Sequence, residues 1–172
     1  MVDRNATLKP GSAKVEVIKN TFLELFSSPR SNDEEKDPIR EKVLQLFKKF
    51  GMETVRQEFT MSGYPGVNLI GIRPGKKRLE GKGDSIIVVA SHYDSVNKAP
   101  GVDDNGSGST AVVEVARMLY ESGAELDHTV IFLCNDLEEL GLLGSKAFVT
   151  EYLVPKELKK KGVTFLGAYA MG

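Results

Sequence analysis

Two unbroken apolar runs constrain the fold of this chain more than any other feature: "SIIVVA" from Ser85 and "TVIFLC" from Thr129. A strand with one wet face alternates apolar and polar residues. A continuous run instead marks a strand buried on both faces, as in parallel sheets covered by helices. "VTFLGAYAM", near the C-terminus, reads as a third strand of this kind. Between them, Ser107 to Ser122 carries Ala111, Val112, Val115, Met118 and Leu119 at helical spacing. "GLLGSKAFVTEYL" is also helical and is ended by "KELKKKG". Strands alternating with helices predict a three-layer α/β/α domain around a mixed, mostly parallel central sheet.

The upstream part is helical first. Val15, Ile18, Phe22, Leu25 and Phe26 give Ser12 to Phe26 an apolar stripe. "SSPRSNDEEKDP" is a polar connection, and Pro38 suits the first turn of a second helix that runs to Phe50 and stops at Gly51. Its inward face is Ile39, Val43, Leu46 and Phe47. "TVRQEF" and "VNLIGIR" read as strands joined by the turn residues of "SGYPG", and the charged "GKKRLEGKG" as a solvated hairpin tip. The chain thus reads as one domain, with helices at 12–50 and the sheet core and site loops at 53–172.

Composition excludes some partners. A net charge of -1 gives no electrostatic reason to expect nucleic acid or a membrane surface. No apolar run is long enough to span a bilayer, and "MVDRNATLKPG" has no signal-peptide core, so nothing fixes the compartment. The lone Cys134 excludes a disulfide within the chain and reads as a small apolar filler. Asn5 and Asn105 open short glycosylation patterns, which arise easily by accident.

The unusual residues fall at the carboxyl ends of the predicted strands, where open α/β sheets build their sites. His92 and Asp94 are two apart in extended backbone, so their side chains share a side. Asp103-Asp104-Asn105 lies in a loop with glycines at 101, 106 and 108 that leads into a helix. Glu138-Glu139 follows the strand ending at Cys134. Each has an ordinary explanation: a structural histidine, a helix cap, or an acidic first turn favoured by the helix dipole. Three such clusters at consecutive strand ends point instead to a cation. Imidazole and carboxylates without cysteine suit zinc, with manganese and cobalt behind it.

"SHYDS", "GVDDNGSGSTAVVEVARML" and "EELGLLGSKAF", in order between Ile86 and Phe148, resemble the signatures of the co-catalytic di-zinc aminopeptidase family. Its superfamily also holds glutamate carboxypeptidase, the zinc glutaminyl cyclases and the non-enzymatic transferrin receptor. The resemblance implies a zinc-exopeptidase-like fold and hydrolysis of peptide substrates, with a family leaning to secreted or lumenal sites. It implies that His92 binds one zinc, that Asp104 bridges two, and that Glu139 is a terminal ligand. Glu138 would be the general base, and Asp94 would orient His92. Asp103 is left without a role.

The pattern also breaks. From Leu158 to Gly172 there is no Asp or Glu, so the slot for an acid from the next strand falls on Ala170 or Gly172. The only other histidine, His128, opens its strand at the end remote from Glu138. The residues support at most one zinc where the family holds two. The expectation is therefore a C-terminally truncated domain, a fragment or short isoform of a longer peptidase. The alternative is a non-catalytic interaction domain of the same fold. A single-zinc enzyme like the glutaminyl cyclases would need a later histidine as well.

Overall fold

The computed structural model describes residues 11–81, 83–160 and 162–172. Helix α1 (Val15–Leu25) leads to α2 (Asp33–Lys49), then the hairpin β1 (Glu53–Met61) and β2 (Tyr64–Arg73). A short α3 (Lys76–Glu80) precedes β3 (Ser85–His92), α4 (Gly108–Glu121) and β4 (Thr129–Asn135). Helix α5 (Leu143–Ala147) widens into π-helical turns over Phe148–Leu158, and β5 (Thr164–Met171) follows. Asn5 lies outside the described residues.

The sheet order is β1-β2-β4-β3-β5. The sheet is mixed, and the parallel pairings are confined to β4-β3-β5, whereas β1-β2 and β2-β4 are antiparallel. The hairpin turns on Ser62-Gly63 alone, both at positive φ (55° and 83°), a twist that matches the flanking strands. Tyr64, Pro65 and Gly66 consequently belong to β2. The crossover through α4 sets β3 and β4 parallel with His92 opposite Asn135, so both carboxyl ends open at one edge.

Side-chain alternation along the central strands feeds two cores. Val67, Leu69, Val89, Phe132 and Cys134 face α1, α2 and α4. Ile70, Ile72, Ile86, Val88, Ile131 and Leu133 face Phe148, Tyr152 and Leu153 on the other side. That makes the three layers. Each such buried side chain contributes about 1.5–3 kcal/mol. Helix α2 lies close because Gly71 has no side chain: a Cβ there would sit 2.8 Å from the Phe47 ring.

Four local expectations are corrected. Helix α2 begins at Asp33, with Pro38 inside it rather than in its first turn. A capping box decides this: Asn32 accepts the Glu35 N–H at 3.0 Å and the Glu35 carboxylate returns to the Asn32 N–H at 3.4 Å. "GKKRLEGKG" is no hairpin tip, because β4 inserts between β2 and β3. It forms α3 instead, with Arg78 paired to Glu157 at 2.6 Å. On α4, Val115 is exposed and Val113 and Ala116 turn inward. Strand β5 is not buried: Leu166 is 57% and Tyr169 70% exposed. It lies at the sheet edge, where Met171 packs against the core. No described helix is long and apolar enough to cross a membrane.

Candidate metal centre

Strand β3 ends on His92, which is buried, as is Asp94. Tyr93 between them points the other way, into the core, and its N–H continues the ladder to the Asn135 carbonyl at 3.0 Å. The His92 carbonyl accepts the Ser109 hydroxyl of α4 at 2.7 Å, which fixes the strand end against the crossover helix.

The loop after β3 brings Asp104 back over this point. Asn105, buried, holds the return: its Oδ1 accepts the Gly108 N–H at 3.0 Å and its Nδ2 donates to the Met171 carbonyl of β5 at 2.7 Å. This explains why its glycosylation pattern is accidental. Asp103 faces solvent, outside the cluster.

One ligand atom each from His92, Asp104 and Glu139 lies within 4.8 Å of the others. His92 Nε2 is 2.9 Å from Asp104 Oδ1 and 3.8 Å from Glu138 Oε2. On the other side of the ring, Nδ1 has only acceptors near it: the Asp94 carbonyl at 3.2 Å and its carboxylate at 3.3 Å. Both ring nitrogens thus face acceptors, and a metal taken at Nε2 would leave the proton on Nδ1, between the two Asp94 oxygens. Asp94 also accepts the backbone N–H groups of Glu138 at 3.1 Å and Glu139 at 3.2 Å.

The cluster is short of positive charge. Burial alone would depress the His92 imidazole, but Asp94, Glu138 and Asp104 outweigh it and hold the ring above its ordinary value. Burial, and then the charges of Asp104 and Asp94, push the Glu139 carboxyl upward. An imidazole lone pair and two carboxylates converging in such a field fit one zinc ion, with room left for water. The second zinc that the resemblance implies finds no such set among the described residues. Ala170 lies opposite Ala90 and Met171 opposite Ser91. Ala170, Met171 and Gly172 line a cavity of about 450 Å³ with His92, Asp104 and Glu138, and none of the three has a carboxylate side chain. His128 is at the far end of the sheet, accepting the Ser85 N–H at 3.0 Å.

Sequence reasoning missed the buried charges behind this site. Asp136, fully buried, pairs with Lys36 at 2.8 Å and Arg40 at 2.7 Å. It also accepts the Val67 N–H at 3.1 Å and the Tyr93 hydroxyl at 3.0 Å. The carboxylate of Asp136 thus ties α2 to both site-bearing strands. The available signal was a strand-end acid and two cations four apart, Lys36 in the polar connection and Arg40 at the start of the predicted helix. Arg30 was missed too, inside a connection read as merely polar.

Comparison with known proteins agrees with this architecture. The family model described as "Peptidase family M28" matches residues 68–167. Aminopeptidase YwaD of Bacillus subtilis is 44% identical over 98 residues, 57% of this chain and 20% of its own length. The solved structure of a zinc aminopeptidase from Bacillus subtilis superposes with a TM-score of 0.76 at 16% identity, covering 93% of this chain and 69% of that one. The glutaminyl cyclase of Fimbriiglobus ruber superposes with a TM-score of 0.75 at 19% identity, covering 94% and 62%. These two likenesses concern the fold. The chain spans between 20% and 24% of the length of the first curated relatives it matches. With the family model covering more than half of its residues, the chain belongs to peptidase family M28.

Proposed function

We propose that this chain carries the catalytic half-site of a zinc-dependent exopeptidase, an aminopeptidase, acting on peptide substrates. The observation that carries the reading is the convergence of His92, Asp104 and Glu139 within 4.8 Å. These three would hold the metal. Zinc bound there would supply Lewis-acid polarisation of a scissile carbonyl and bring a water's pKa toward about 7.

The chain's own residues do the rest. Asp94 keeps the Nδ1 proton of His92 in place and holds the turn that carries both glutamates. Glu138, its side chain 32% exposed, borders the same cavity as His92. In this reading its carboxylate takes a proton from water and returns it to the leaving amine. The cavity walls beside it, Ala90, Leu133, Leu142 and Ala170, are apolar, which suits the exclusion of bulk water.

The test is metal analysis of the wild type beside Glu139→Ala. About one zinc per chain in the wild type and a clear loss in the variant support the site, and equal contents remove Glu139 from it. A second reading, a non-catalytic domain of the same fold, is favoured by one observation: the end of β5 beside His92 offers no carboxylate side chain. It requires that aminoacyl reporter substrates go unhydrolysed with zinc or cobalt added. Turnover abolished by Glu138→Gln ends that reading.

A further inference from the structure

Arg30 stands outside the ligand cluster, yet it grips both segments that carry it. It is completely buried, at 0% exposure. Among the described residues, every hydrogen-bond partner of its side chain is a peptide carbonyl. Nε donates to Tyr93 at 2.7 Å, and Nη2 to Gly101 at 2.7 Å. Nη1 donates to Phe26 at 2.9 Å, to Pro100 at 2.7 Å and to Ser28. The Arg30 backbone is locked as well: its N–H reaches Ser95 Oγ at 3.0 Å and its carbonyl accepts the Ser95 N–H at 3.2 Å.

These acceptors have a pattern. Phe26 caps α1 and Ser28 lies just beyond it, where unpaired carbonyls and the helix dipole both welcome a cation. A brace for that helix end would need nothing more. The other three lie in the site-bearing segments. Tyr93 is the residue between His92 and Asp94, and Pro100 and Gly101 open the loop that delivers Asp104. The loop is moulded to the fork: Gly101 sits at φ +55°, and a Cβ there would lie 2.7 Å from Nη2. A planar guanidinium with five donors can span these segments, whereas an ammonium offers three donors from a single point.

We propose that Arg30 is a positioning residue for the metal centre, its fork setting the separation of His92 and Asp104 and through it the affinity for zinc. This rests on the zinc reading of the site.

The experiment is Arg30→Lys in the full chain, read by competition for zinc against a chromophoric chelator and by the visible absorption of the cobalt-loaded protein. The expected result is cooperative thermal unfolding, zinc affinity lower by about 10–100-fold, and an altered cobalt spectrum. Val43→Ala, a core change remote from the cluster, lowers thermal stability but leaves zinc affinity of the folded protein unchanged. Wild-type affinity and spectrum in Arg30→Lys overturn the proposal alone. A wild type that binds no zinc overturns it together with the zinc reading. If Arg30→Lys does not fold, Gly101→Ala carries the test: its Cβ would crowd the fork's Nη2 together with the Ser95 side chain and the Asp104 carbonyl, and unchanged zinc affinity there is equally fatal.

Discussion

The carboxylate of Asp94 accepts the backbone N–H of Glu139 at 3.2 Å, across 45 positions of sequence. Its other oxygen accepts the Glu138 N–H at 3.1 Å and lies 3.3 Å from His92 Nδ1. One side chain thus fastens the imidazole at the end of β3 to the turn after β4. Asp94→Ala frees both, and zinc affinity is expected to fall by about 10–100-fold. Asp94→Asn, which keeps one acceptor oxygen, should fall between. Chelator competition measures both, and a wild-type affinity in Asp94→Ala would show that Asp94 has no part in orienting the site.

A substitution at Glu138 tests the proposed division between metal binding and chemistry. Its neighbour Glu139 is in the triad with His92 and Asp104, while Glu138 Oε2 stays 3.8 Å from Nε2 and borders the cavity. Glu138→Gln keeps the shape and removes the basic carboxylate. Hydrolysis of an aminoacyl reporter should drop by about 10²–10⁴-fold, with zinc content unchanged. Loss of zinc in this variant would move Glu138 into the ligand set and leave the base unassigned.

Patterns that repeat locally were legible in the sequence. The buried runs of β3 and β4 and the C-terminal part of the α1 stripe follow from strand and helix periods, although Val15, read as part of that stripe, is 77% exposed. The convergence of His92, Asp104 and Glu139 needed one further step, that parallel strands joined by a right-handed crossover open their sites at one edge. What was not legible depends on partners distant in sequence. Asp136 meets cations 100 and 96 residues away, and Arg30 meets carbonyls up to 71 residues away. The start of α2 is a different case: Asn32-x-x-Glu35 is a local signal, but Pro38 suits a helix start equally well, and only the capping bonds decide between them.

Asp136 should set the acid stability of the fold. Burial opposes its ionisation, but Lys36, Arg40 and the Val67 N–H outweigh burial and hold the carboxyl below its ordinary range. A group whose folded pKa is depressed contributes fully above its unfolded value, about 3.9. That contribution is lost as pH falls through the folded value. Chemical unfolding of the wild type should therefore weaken below about pH 4. Asp136→Asn leaves two buried cations without their counter-charge and should cost about 3–5 kcal/mol at neutral pH. Its acid limb should be flatter than that of the wild type. A variant as stable as the wild type at neutral pH would show that Lys36 and Arg40 find other partners.

The edge strand β5 makes the last prediction. A continuous apolar run was read as a strand covered on both faces, but the run records only what the strand tolerates, not what lies over it. Among the described residues β5 pairs with β3 only, and Phe165, Leu166 and Tyr169 are 42%, 57% and 70% exposed. An apolar strand with open N–H and C=O groups is a template for pairing with another chain. Concentration-dependent self-association, followed by light scattering, is the expected behaviour of the wild type. Tyr169→Lys places a charge on that edge, which disfavours strand addition at a stability cost within about 0.5 kcal/mol, because the site is exposed. The variant should stay dispersed at concentrations where the wild type associates, with the same circular dichroism and melting temperature. Equal association in both proteins would locate the contact elsewhere on the surface and clear β5 of the role.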